Sequence, residues 1–245
     1  MISGHFGKEK KMNYKMILQY DGTRYNGWQK QGNTENTIQE KLERILQEIS
    51  GAETEVFGSG RTDAGTHATG QVMNFHINWN GTAEQLLDAF NAKLPEDIAA
   101  LSVAEMPPRF HSRLSAKAKH YSYSIWIGKH SPVFERKYTF RCTEMLDVQA
   151  MRQAAAAFIG THDFKSFCSV RTQVTDTVRT VYRIDVTRNE DDIITIRVTG
   201  NGFLYNMVRI IAGTLMAVGT GHIQAEDMPS ILEAKDRRAA GPTAP

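Results

Sequence analysis

Hydrophobic positions along the chain alternate between the period of a strand and that of a helix. Residues 14–20 read as a strand, and Asp21-Gly22 after it supplies turn chemistry. Thr37-Ile38-Gln39-Glu40 has capping-box spacing, and Ile38, Leu42, Ile45, Leu46 and Ile49 share one helical face, which predicts a helix from residue 38. Strands are predicted over 54–57 and 71–77, the second alternating through Met73, Phe75 and Ile77, with the glycine-bounded loop 58–70 between them. A capped helix over 82–93, with Leu86, Leu87 and Phe90 inward, and a strand over 98–105 complete one α/β unit.

A second unit opens with the alternation Tyr121, Tyr123, Ile125, Ile127. Asp147 is a good N-cap for a helix over 148–159, whose core side is Met151, Ala155, Phe158 and Ile159. A hairpin follows. Val178, Thr180, Tyr182, Ile184 and Val186 occupy one face of its first strand, Ile194, Ile196 and Val198 one face of its second, and the turn lies at 189–192. Apolar Leu204, Met207, Val208, Ile211 and Leu215 predict a helix over 203–218, and a shorter one fits 229–234. No residue-level repeat exists, but the coarse architecture repeats. The fold class is α/β in the α+β sense: two halves with mostly antiparallel sheets meeting at a shared cleft. The expected division is a disordered tail over 1–11, an N-terminal half over 12–112 and a C-terminal half over 113–245.

Composition narrows the class. The 245 residues are 41% hydrophobic and 23% charged, near the averages for soluble globular proteins, so the chain can complete its own core. The polar start lacks the apolar stretch of a signal peptide or anchor, and the apolar run 210–218 is about half a bilayer span. No membrane partner is expected. Cys142 and Cys168 are too few for a disulfide framework and are not spaced as metal ligands, which suits a reducing, cytoplasmic setting. The net charge is only +2, but residues 105–141 hold eight Lys and Arg against two Glu. A basic face on a mildly acidic body makes nucleic acid a candidate partner, and exposed strands dressed with Lys and Arg against edge pairing are the alternative.

The densest chemistry is Gly60-Arg61-Thr62-Asp63-Ala64-Gly65-Thr66-His67-Ala68. Here a carboxylate sits two residues from an Arg and four from a His on a loop whose glycines allow close approach of a ligand. Asp-Ala-Gly is equally ordinary turn chemistry, with Arg61 pairing with Asp63. His67, His76 and His111 lack metal-ligand spacing, and no phosphate loop, dinucleotide fingerprint or nucleophile elbow occurs, so neither metal nor cofactor is expected. Lys119-His120-Tyr121-Ser122-Tyr123 mixes cations with aromatics, as suits a stacked RNA base, or else a strand whose rings face the core. Arg209, on an otherwise apolar helix, calls for a carboxylate partner: Asp63, or a structural acid elsewhere.

These motifs together resemble the TruA family of tRNA pseudouridine synthases, from residue 14 to residue 245. Tyr20-Asp21-Gly22-Thr23-Arg24-Tyr25-Asn26-Gly27-Trp28-Gln29 is similar to the family's opening strand and turn, and residues 60–68 to its catalytic motif, with Thr66 where Val is common. Residues 110–123, Gly160-Thr161-His162-Asp163-Phe164 and residues 202–209 match further signatures in order. The resemblance implies Asp63 as the catalytic carboxylate, Arg61 as an aid to flipping out the nucleotide, Tyr121 stacked on the target base and Arg209 paired with Asp63. It implies the pseudouridine synthase fold, two α/β halves building one continuous mixed, mostly antiparallel sheet flanked by helices around a central cleft. It also implies a homodimer, no cofactor, and tRNA rather than DNA as partner, modified at anticodon stem-loop uridines 38, 39 and 40. Isomerising uridine exchanges an N1 bond to ribose for a C5 bond without redox change, so a carboxylate and a base suffice. The base must first leave its stack. An Asp-based N-glycosidase, which would free uracil, and a non-catalytic RNA-binding module are the competing readings. Relatives usually continue beyond residue 245 into a short apolar strand, and restoring such a tail is expected to raise the melting temperature.

Overall fold

The computed structural model describes residues 11–169 and 175–245. Contacts divide the chain into two compact units, 1–116 and 117–245. Of the tail expected over 1–11, residues 1–10 lie outside the described residues.

The first unit runs β1 (Met12–Tyr20), α1 (Ile38–Ser50), β2 (Val56–Gly58), β3 (Ala68–Ile77), α2 (Ala83–Asn91) and β4 (Ile98–Met106). Its strands form an antiparallel sheet in the order β2-β3-β1-β4. Alternation puts Tyr14, Met16, Leu18 and Tyr20 of β1 and Met73, Phe75 and Ile77 of β3 into one core with Ile38, Leu42 and Leu46 of α1 and Leu86 and Phe90 of α2. Each fully buried Phe or Leu contributes about 1.5–3 kcal/mol. The capping box of α2 is complete, Thr82 and Gln85 each accepting from the other's backbone N–H. At α1 the Thr37 hydroxyl accepts from Glu40 N–H at 3.3 Å, while the Glu40 carboxylate pairs with Lys30 at 2.8 Å. A buried polar set fixes the chain after β4: Asn13 donates to the carbonyls of Pro107 and Phe110, and Asn74 donates to Asn13 and accepts from Ser112 N–H.

The second unit runs β5 (Lys119–Trp126), β6 (Phe140–Arg141), α3 (Val148–Ala156), β7 (Gly160–Asp163), β8 (Val178–Arg188), β9 (Ile193–Gly200), α4 (Met207–Gly219) and α5 (Met228–Glu233). Its sheet has the order β6-β5-β9-β8-β7, antiparallel except for β6 beside β5. The four-stranded sheet of the first unit is thus antiparallel throughout, and the five-stranded sheet of the second is mixed and mostly antiparallel. Helices α3 and α4 cover Ile194, Ile196 and Val198, and Phe158, Phe164 and Phe167 pack ring to ring beside them. The last residues lie along α4: Ala244 is buried, its N–H donates to Arg209 O at 3.0 Å, and Gly241 N–H donates to the Thr214 hydroxyl at 3.0 Å.

Three expectations fail for physical reasons. Tyr182 was expected on the same face as Val178 and Ile184, yet it is 51% exposed while Val181 is buried. An irregularity in the β8–β9 register between Val181 and Arg183 inserts a residue, which reverses the alternation at that point. Ile159, expected in the core, is 48% exposed, because α3 ends at Ala156 and the chain turns toward β7. The helix expected from residue 203 begins at Met207, since Asn206 holds a left-handed φ of 61°.

Candidate active site

The first unit moulds the Asp63 loop against the turn that follows β1. Trp28 N–H donates to Thr62 O at 3.0 Å, and Gly65 N–H donates to Tyr25 O at 3.2 Å. Within the loop, Thr66 N–H donates to Asp63 O at 3.1 Å. The hydroxyls of Tyr20, which is buried, and Thr62 are 2.9 Å apart. These contacts bring two backbones closer than side chains allow. A Cβ at Gly22 would lie 2.0 Å from Thr66 O, and one at Gly27, which also holds a φ of 90°, would lie 2.7 Å from Thr62 O. Glycine is required at both positions. The loop's approach is fixed too, as Gln71 donates to Gly60 O at 2.6 Å and Ser59 N–H to Val72 O at 2.7 Å. Asp63 and Arg61 are exposed on this clamped loop.

The turn is itself anchored. Asp97, just before β4, accepts from the Tyr25 hydroxyl at 2.7 Å and from two nitrogens of Arg24 at 2.9 and 2.7 Å. Asp21 N–H donates to the Asp97 carbonyl at 2.9 Å. The Tyr25 phenol is held well above its usual pKa, first by burial, then by its hydrogen bond to Asp97 and by that carboxylate's charge. His67 Nδ1 lies 3.1 Å from Gly22 N and 3.0 Å from Asp21 Oδ1. It accepts from the former when unprotonated and donates to the latter when protonated, but cannot do both.

In the second unit, Tyr121 pairs with Val198 across β5 and β9, and its ring meets Phe203 edge-on, centroids 5.2 Å apart. Arg209, in the first turn of α4, donates through Nε to Ala244 O at 2.8 Å and through a terminal nitrogen to Asn206 Oδ1 at 3.2 Å. On the same face of β5 as Tyr121, burial pushes the Tyr123 phenol up to about 12, with nearby Arg209 pulling it back. The unit therefore gathers Tyr121 and Arg209 around Phe203 and Tyr123, while Arg61 and Asp63 share the clamped loop of the other unit. Among the described residues no group of three or more His, Cys, Asp or Glu is placed to hold a metal ion, and no helix is long and apolar enough to cross a membrane.

A family model described as tRNA pseudouridine synthase matches residues 16–114 and 154–245. The chain belongs to that family. It is an RNA-modifying isomerase. tRNA pseudouridine synthase A of Bacillus subtilis strain 168 is 47% identical over 236 residues, covering 96% of this chain and 95% of that protein. The protein of the same name from Bacillus sp. strain KSM-64 is 46% identical over 229 residues, 94% and 93% of the two chains. The family match spans Arg61, Asp63 and Arg209, whereas Tyr121 falls between its two segments. Sequence reasoning gave Gly22 only a part in the turn after the first strand and attached no separate role to Gly27 or Asp97. The two glycines five residues apart were the available signal for a close backbone approach, but Asp97 had none, because its partners are 72 and 73 residues away.

Proposed function

We propose that this member of the family converts uridine to pseudouridine in the anticodon stem-loop of tRNAs, at positions 38, 39 and 40, on a nucleotide turned out of its stack. The observation that carries the reading is Asp63, exposed on a loop clamped by backbone contacts, within a region the family model matches. The carboxylate acts at the ribose. It forms a bond to C1′ as the N1–C1′ bond breaks; uracil rotates, C5 takes C1′ and releases the carboxylate, and C5 loses its proton while N1 gains one. Atoms balance without oxidant, reductant or cofactor.

Arg61 assists extrusion of the nucleotide, Tyr121 stacks on the target base, and Arg209 pairs with Asp63 to keep it ionised. The halves over 12–112 and 113–245 carry the catalytic loop and the base platform respectively. The protein works in the cytoplasm as a homodimer that binds tRNA and not DNA; the bacterial relatives named for tRNA modification support the substrate.

The test is incubation with unmodified tRNA followed by chemical mapping along the anticodon arm, with Asp63→Asn alongside. Pseudouridine at these positions from the parent protein alone is expected, with tRNA affinity of the variant within a few fold. Near-normal turnover by Asp63→Asn would reject the catalytic assignment, and free uracil would identify a glycosidase.

A further inference from the structure

Between β5 and β6 the chain makes an excursion, residues 127–139, that the catalytic reading leaves without a role. Its base is closed. Ile125 and Trp126 pair in parallel with Phe140 and Arg141, Cys142 N–H donates to Trp126 O at 2.8 Å, and the Trp126 indole donates to His130 O at 2.7 Å. Pro132 is buried. The tip folds onto one carbonyl: Glu135 O accepts from Tyr138 N–H at 2.8 Å and from both the N–H and the hydroxyl of Thr139 at 3.0 Å. The Arg136 guanidinium donates to Val133 O. A loop held this way has a defined shape, yet it turns apolar side chains outward: Phe134 is 85% exposed, Val133 60% and Tyr138 53%. Clustered exposed aromatics mark a surface that meets a partner.

Charge identifies the partner. Lys129, Arg136, Lys137 and Arg141 are all exposed, opposed within the loop only by Glu135. A second copy would bring the same excess of cations against them, and protein interfaces are depleted in lysine. RNA supplies phosphates for the cations and the faces of unpaired bases for the rings. We propose that this loop docks tRNA, with Phe134 stacking on an unpaired base while Arg136 and Lys137 hold neighbouring phosphates. The inference rests on tRNA being the substrate, and it adds a contact in a stretch lying between the two segments of the family match.

The experiment compares the full chain with Phe134→Ala, Phe134→Trp and the double variant Arg136→Gln/Lys137→Gln. Affinity for unmodified tRNA is measured across salt concentrations, with melting temperature, sedimentation and product formation recorded in parallel. Phe134→Ala should weaken binding about fivefold or more at unchanged melting temperature, and Phe134→Trp should restore it. The double variant should flatten the salt dependence by about 1.4–1.8 in logarithmic slope. Affinity of Phe134→Ala equal to the parent's overturns the proposal. A smaller sedimenting species with unchanged tRNA affinity also overturns it and assigns the loop to contact between copies. A parent protein that binds tRNA without making pseudouridine would sink the proposed reaction and leave the docking result standing, whereas no tRNA binding would remove both.

Discussion

Alanine at position 22 would put a methyl carbon 2.0 Å from Thr66 O and 2.6 Å from its carbonyl carbon. Both are backbone atoms, so no side-chain rotation relieves the clash. A tolerable carbon–oxygen contact needs a separation of about 3 Å or more, and the two backbones must therefore part by about 1 Å. Thr66 closes the turn that begins at Asp63 by donating its N–H to Asp63 O at 3.1 Å, so the displacement reaches the proposed catalytic residue. A misplacement of about 1 Å in a reacting group can cost roughly 100-fold in rate, about 2.7 kcal/mol of barrier. The expected outcome for Gly22→Ala is a fall of that order in kcat at saturating tRNA, with affinity within a few fold of the parent. Release of tritium from tRNA carrying 5-tritiated uridine reads the rate directly, because C5 loses its hydrogen as it bonds to the ribose. Gly65→Ala is the comparison. That residue also sits in the loop, at a φ of 76°, but a Cβ there meets nothing within 4 Å, so only the left-handed backbone costs, about 1–2 kcal/mol. Parental kcat in a folded Gly22→Ala protein would refute the claim that the turn shapes the site.

Two further outcomes follow from the anchors. Asp97→Asn removes the charge that joins Arg24 and Tyr25 and should lower unfolding stability by about 1–3 kcal/mol in urea titrations; an unchanged midpoint would show that the turn does not depend on it. Tyr123, whose phenol burial raises to about 12, favours the protonated folded state, so its contribution is whole below about pH 10 and is lost as pH rises toward 12. Tyr123→Phe should therefore show a shallower loss of stability over that alkaline window, and an identical slope would discount the burial.

Local chemistry was readable wherever one element could satisfy itself. The period of Ile38, Leu42, Ile45 and Leu46, the capping box at Thr82 and Gln85, and the alternation of Ile194, Ile196 and Val198 all rest on neighbours a few residues apart, and each stands in the structure. Short β6 and β7 carried too few residues for a periodic signal. The bulge that turns Tyr182 outward depends on the register with β9, which no property of β8 alone specifies. The same contrast runs through the site. Sequence by itself determined that Asp63 sits on a glycine-bounded loop near Arg61 and His67. Only the tertiary structure decided that Gly22 and Gly27 are the surfaces this loop is pressed against, and that Asp97 anchors their turn, because backbone-to-backbone approach and a carboxylate's choice of partner are made across tens of residues after the chain has folded.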